Sequence, residues 1–233
     1  MCGRFTLAVP GEQLAAQFQL AAIPDLSARY NIAPSQLVAI IRAEAGGRRL
    51  ALVRWGLVPA WAKDTTLGAR LINARAETVA EKPAFRAALR QRRCLIPADG
   101  FYEWQAQAGG KQPYYIRLTA GGAFAMAGLW ERWHTPAGDW LESCTILTTT
   151  ANDVVEPLHD RMPVILAPEQ YARWLDPELR DPALLRELLA PSPDWLLVAY
   201  PVRKAVNRVS NDGPALIQPV AGDPAPAGCG DVR

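Results

Sequence analysis

Short apolar runs, each of strand length and several bounded by paired glycines, recur along the 233 residues and leave little room for long helices. Leu37 to Arg42 and Arg49 to Val58 flank Gly46-Gly47, which is the signature of a hairpin, and Pro59 ends the second run. Cys94 to Ala98 leads into Asp99-Gly100-Phe101-Tyr102-Glu103-Trp104. Beyond Gly109-Gly110, Tyr114 to Leu118 and Ala123 to Leu129 read as another hairpin, and Trp140 to Thr149 and Leu196 to Val202 as further strands. Helical spacing is confined to short stretches: Leu14, Ala15 and Phe18 behind Pro10-Gly11, Phe85 to Arg93 behind Pro83, Pro168 to Leu175, and the leucines after Asp181-Pro182. This pattern predicts an α+β fold. The expectation is one domain over residues 1–220, a mostly antiparallel, barrel-like β-sheet with flanking short helices, followed by a disordered Pro-, Gly- and Ala-rich tail over 221–233.

Charge narrows the partners. With 25 Lys and Arg against 23 Asp and Glu, the net charge is only +2, so contact with nucleic acid has to come from a local cluster. Arg86, Arg90 and Arg93 share one face of the expected helix and read as a solvated stripe. No apolar run approaches the ~20 residues of a membrane span, and the N-terminus lacks the basic and apolar regions of a signal peptide. The expectation is therefore a cytoplasmic, monomeric protein without membrane contact. Cys2, Cys94, Cys144 and Cys229 are too dispersed for a metal site or a disulfide framework, and Cys94 and Cys144 read as buried thiols. There is no Gly-rich phosphate loop and no nucleophile elbow. Neither metal nor cofactor is expected.

Chemistry-bearing positions are few. If Met1 is removed, Cys2 carries an α-amine of pKa about 7.7–8.0 beside a thiol of about 8.5. Such a 1,2-aminothiol condenses with an aldehyde to an imine and closes to a thiazolidine; it also suits acyl transfer, with the amine as base. Taken alone, Cys2 reads more simply as the second residue of a ragged terminus. His159 lies in His159-Asp160-Arg161 between a short helical segment and a strand, where it can move protons or simply pack. His134, in an exposed turn, is given no role. Glu103 sits among Phe101, Tyr102 and Trp104, where desolvation would raise its pKa, unless strand alternation turns it to solvent. Asn73 either orients a substrate oxygen or caps a turn. Trp55 and Trp61 offer a stacking surface or a lid on the core.

Several segments occur in a familiar order: Met1-Cys2-Gly3-Arg4-Phe5, Tyr30-Asn31-Ile32-Ala33-Pro34, Trp55-Gly56-Leu57-Val58-Pro59, Ile72 to Thr78, Asp99 to Trp104, His159-Asp160-Arg161-Met162-Pro163 and Val206 to Val220. Together they resemble the SOS response-associated peptidase (SRAP) domain family of abasic-site-processing proteins over about residues 2–220. The resemblance implies an enzyme with Cys2-dependent, lyase-like chemistry and a peptidase activity. It would sense abasic sites in single-stranded DNA and form a thiazolidine crosslink through Cys2 after Met1 is lost by autoproteolysis or to methionine aminopeptidase. Asn73 would hold the amine and sugar, Glu103 would act as acid and base in ring opening, and His159 would transfer protons. Arg4, Arg75 and Arg161 would hold phosphates. Trp55 and Trp61 would stack on bases, and Thr148 would join the DNA contacts. Met162 stands where an arginine would be expected. Bound to DNA, the protein would be nucleoid-associated. Three competing readings remain at this level: an N-terminal-nucleophile amidohydrolase, a noncovalent single-strand-binding module, and a protease acting on other proteins.

Overall fold

The structure, a computed structural model, describes residues 2–220. The expected tail over 221–233 lies outside those residues. In chain order the strands are β1 (Phe5–Leu7), β2 (Arg29–Ile32), β3 (Leu37–Glu44), β4 (Gly47–Trp55), β5 (Asn73–Arg75), β6 (Arg93–Ala98), β7 (Gly100–Gln107), β8 (Gly110–Leu118), β9 (Phe124–His134), β10 (Trp140–Thr150), β11 (Arg161–Pro163), β12 (Ile165–Leu166) and β13 (Leu197–Pro201). The α-helices are α1 (Gly11–Phe18), α2 (Arg86–Gln91), α3 (Tyr171–Leu175) and α4 (Pro182–Arg186), interspersed with single 3-10 turns. None is long and apolar enough to cross a membrane.

The strands form two sheets. In the larger, the order β10-β4-β3-β6-β9 returns to its start because β9 also pairs with β10, so five strands close into a barrel. All pairs in that ring are antiparallel except β4 with β10. The mixed fold with a mostly antiparallel barrel expected from the sequence is therefore the one observed. Ile40, Ile41, Leu95, Ile96, Met126, Ile146 and Leu147 are fully buried in the core. β6 is buried at every position, because α3 covers the face that alternation would have left to water.

The smaller sheet runs β13-β8-β7-β1-β2 and sets β1 in its interior. A buried polar cluster fastens β1 there: Thr6 Oγ1 is hydrogen-bonded to Asp99 and lies 2.8 Å from Tyr115 Oη, while the Ala8 N–H donates to Asp99 Oδ2 at 2.7 Å. Gly100 is required at this crossing, since a Cβ there would come within 2.2 Å of the Tyr115 ring.

Two expectations are corrected. Tyr114 to Leu118 and Ala123 to Leu129 do not form a hairpin: β8 pairs with β7 and β13, whereas β9 belongs to the barrel. The two runs are equally apolar, and only the sheet chosen by each partner separates them. Nor is the arginine stripe wholly solvated. α2 ends at Gln91, and Arg93 opens β6 with its guanidinium buried, donating to the Trp174, Leu89 and Arg90 carbonyls at 2.6, 2.6 and 3.1 Å and also to Asp176. Four backbone acceptors substitute for water around that charge.

Candidate active site

The site is built where the two sheets meet. β1 lies antiparallel to β7 with Phe5 opposite Phe101 and Thr6 opposite Gly100, and the Tyr102 N–H donates to the Arg4 carbonyl at 3.0 Å. Continued toward the amino terminus, that register carries the first residues past Glu103. From the barrel, β5 runs parallel to β10 with Asn73 opposite Ile146, and Asn73 Nδ2 donates to the Cys2 carbonyl at 2.9 Å. Asn73 Oδ1 is buried with no hydrogen-bond partner. The amide thus fixes the backbone of residue 2 and keeps an acceptor in reserve.

Burial sets the protonation states. Cys2 is fully buried, with Sγ 4.0 Å from the Arg4 carbonyl, and desolvation followed by the Glu103 charge pushes the thiol far above its usual range. It is held as S–H. Glu103 is 3% exposed, and desolvation raises its carboxyl while the positive amino terminus of the chain draws it back. His159 is shifted the other way, chiefly by burial and then by the same terminal charge, and is neutral at pH 7. Its Nδ1 accepts the Arg161 N–H at 2.9 Å and lies 2.7 Å from Asp160 Oδ1. A backbone N–H can only donate, so in the neutral ring the proton is on Nε2; a second proton would go to Nδ1 and face Asp160. Glu103, Trp104, Lys111, His159 and Asn207 line one pocket of about 480 Å³.

Other expected residues fall into two groups. Trp61 (61% exposed) and Arg75 are open to solvent and, with Asn73, Arg70, Lys82 and Phe85, line a second pocket of about 480 Å³. Trp55, Thr148 and Arg161 are instead built into the frame, which corrects the expectation that they face DNA. Trp55 is buried, packs edge-on against Phe5 at 5.2 Å and donates from Nε1 to the Ile72 carbonyl at 2.9 Å. Thr148 is fully buried below Ala74. Arg161 is buried too, forked onto Glu77 at 2.7 and 2.8 Å and donating to the Thr148 carbonyl at 2.6 Å. All three brace β5 and so hold Asn73. Met162 is fully buried, a position that offers no phosphate contact.

Arg4 forms part of the wall. Its Nη1 donates to Asn31 Oδ1 at 2.6 Å and to the Val206 carbonyl at 2.9 Å, and its guanidinium lies 5.8 Å from the Trp104 ring centroid. Asn31, which sequence reasoning passed over, is buried and donates from Nδ2 to the carbonyls of Val206, Arg208 and Asn211 at 3.2, 3.0 and 2.8 Å. It ties the segment carrying Asn207 to β2. Nothing in its sequence neighbourhood distinguishes it from a turn asparagine.

The sequence and the fold both match known proteins. The sequence model for SOS response associated peptidase (SRAP) matches residues 1–209. The chain is 46% identical over 222 residues to the abasic site processing protein YoqW of Bacillus subtilis (strain 168), covering 94% of this chain and 99% of that one. It is 32% identical over 230 residues to the abasic site processing protein YedK of Escherichia coli (strain K12), covering 94% and 100%. A crystal structure of a protein from Bacteroides thetaiotaomicron matches with a TM-score of 0.84 at 28% identity, covering 94% of this chain and all of that one. With a sequence match through nearly all the described residues and a barrel that matches as well, the chain belongs to the SOS response associated peptidase (SRAP) family.

Proposed function

We propose that this protein captures abasic sites in single-stranded DNA by covalent reaction at Cys2 after Met1 has been removed. The observation that carries this reading is the 2.9 Å bond from Asn73 to the Cys2 carbonyl, which pins the reactive terminus beside Glu103 and the His159 pocket. The substrate follows from the names of the relatives, and its chemistry suits the site. An abasic deoxyribose interconverts between a ring hemiacetal and an open aldehyde. Glu103 takes the proton of the anomeric hydroxyl and returns one to the ring oxygen as the C1′–O4′ bond breaks. The free α-amine of Cys2 adds to C1′, and one proton of the nitrogen passes to the new carbinolamine oxygen. Neutral His159 takes the nitrogen's other proton and returns it to that hydroxyl, which leaves as water, and an imine remains. The S–H of Cys2 then adds across C=N, sulfur bonding to C1′ and the proton passing to nitrogen. The sum is aldehyde plus aminothiol giving thiazolidine plus water. Because the thiol is held protonated, the amine reacts first.

The test uses untagged protein whose mature terminus has been confirmed by mass spectrometry. Incubated with single-stranded DNA carrying one abasic site and boiled in detergent, it is expected to give a protein–DNA band on a denaturing gel. The band should vanish with Cys2→Ala and with a chemically blocked amine. No band, with Met1 gone and the aldehyde shown to be reactive, would overturn the reading.

On the same reading, exposed Trp61 serves as a base-stacking platform. Trp61→Ala is expected to weaken single-strand binding by about 1–3 kcal/mol in a fluorescence-anisotropy titration, with no change in thermal stability.

A further inference from the structure

A further concave site lies apart from the pockets that Glu103 and Asn73 line and shares no residue with them. It forms where β12 and the start of β9 meet the 3-10 turns Pro168–Gln170, Glu187–Leu189 and Asp194–Leu196, and its volume is about 440 Å³. Phe124, Ile165, Leu166, Leu188 and Leu196 supply an apolar floor. One polar group interrupts it: Ser192 is buried, and its Oγ has no hydrogen-bond partner among the described residues. A hydroxyl left so is costly until a ligand completes it. At the mouth, Trp195 is 76% exposed. Its loop is fastened at three points: Asn152 Nδ2 donates to the Ser192 carbonyl at 3.2 Å, the Asp153 N–H to Asp194 Oδ1 at 2.9 Å, and Thr119 Oγ1 to the Trp195 carbonyl at 3.0 Å. A large ring held in water by a fastened loop has the form of an interface anchor. The charge is of one sign. Glu169 and Glu187 line the pocket, no lysine or arginine does, and Asp194 stands between the lining residues Pro193 and Trp195. Arg173 pairs with Glu187 at 2.7 Å, whereas Glu169 and Asp194 have no ion-pair partner among the described residues. Such a rim repels phosphates and attracts a cation.

We propose that this pocket docks a short segment of a partner protein in which two apolar side chains stand beside a lysine or arginine. One apolar side chain enters the floor against Phe124, Leu166 and Leu188. The other lies on the Trp195 ring, and the cation faces the acidic rim of Glu169 and Asp194. A backbone carbonyl of the segment accepts the Ser192 hydroxyl. A chain segment fits better than a small molecule, because Trp195 carries apolar surface outside the mouth that a ligand enclosed in 440 Å³ would leave in water. With the wall already fastened, docking orders little of this protein, so a short segment suffices. The proposal goes beyond the abasic-site reading and does not depend on it.

A library of random twelve-residue peptides displayed on phage is selected against the full-length protein, and the enriched peptides are synthesised with a fluorophore and titrated by anisotropy. They are expected to share two apolar side chains and at least one lysine or arginine. Trp195→Ala should weaken them by at least about tenfold at every salt concentration. Ser192→Ala, which removes only the hydroxyl, should weaken them by about two- to tenfold. Glu169→Lys should weaken them at low salt and lose that effect at about 1 M, where exposed charges are screened. Trp195 and Glu169 are exposed, so the melting temperatures of their variants should match that of wild type. Enriched peptides that are acidic, or that bind all three variants as tightly as wild type, would overturn the proposal, as would a selection that enriches nothing over an uncoated surface. Displacement of the peptides by a single-stranded oligonucleotide would assign the pocket to nucleic acid and overturn it equally.

Discussion

Glu103→Gln is expected to slow crosslinking to abasic DNA by about 10²–10⁴-fold while leaving affinity for a strand carrying an uncrosslinkable tetrahydrofuran abasic analogue within about twofold of wild type. The amide keeps the shape of the carboxyl and can neither take nor return the proton that ring opening requires. A rate within tenfold of wild type would remove Glu103 from the reaction. The same substitution has a signature in stability. Burial raises the folded-state pKa of Glu103 above its ordinary 4.5, so the native protein holds that proton more tightly than the unfolded chain does. Its contribution is full below about pH 4.5 and is lost as pH rises through the raised folded value. Glutamine has no such dependence. The melting temperature of the variant should therefore gain on that of wild type as pH is taken from 4.5 to 8, and a difference that stays flat with pH would mean the carboxyl is not desolvated.

Trp55→Ala is expected to cost about 3–5 kcal/mol, the range for removing a buried tryptophan, or about 6–20 °C in melting temperature for a domain of this size. Crosslinking should fall as well, although the buried ring has no face to offer a base. Its indole N–H holds the carbonyl of Ile72, next to Asn73, and its ring packs on Phe5 in β1, the strand that leads from Cys2. Trp55→Phe separates the two effects. It keeps most of the ring, leaves the Ile72 carbonyl with only the Ile146 N–H at a cost of about 0.5–1.5 kcal/mol, and should slow crosslinking without weakening strand binding. Weakened binding at normal stability would instead return Trp55 to a stacking role.

Much of the candidate site is legible in the sequence because the chemistry proposed for it is carried by residue type. Cys2, Asn73, Glu103 and His159 each stand out by their side chains and neighbours, and the fold draws Cys2, Asn73 and Glu103 to one seam, with His159 lining the same pocket as Glu103. Their convergence is not legible, because it depends on β1 inserting between β2 and β7, a pairing across some ninety residues that no local pattern encodes. The arginines and tryptophans mislead for a related reason. Trp55 and Trp61 are six positions apart and alike in composition, and only the barrel decides that one is covered and the other 61% exposed. Arg161 reads as a phosphate ligand until Glu77 occupies its fork. The barrel itself follows from strand length and glycine pairs, whereas the misassigned hairpin of β8 and β9 marks the limit of that inference, since hydrophobic runs specify that a strand forms and not which sheet it joins.

The place of β1 has a mechanical consequence. A thiazolidine at residue 2 would hang a DNA strand from an interior strand of a sheet, hydrogen-bonded on both edges and fastened at Thr6 and Asp99. Tension along the DNA would then load those bonds together in shear, not one at a time as in peeling a loose arm. Motors that pull on such an adduct would meet an abrupt, all-or-none resistance until the sheet gives way, and the unfolded chain would stay attached until the linkage itself or the chain is broken.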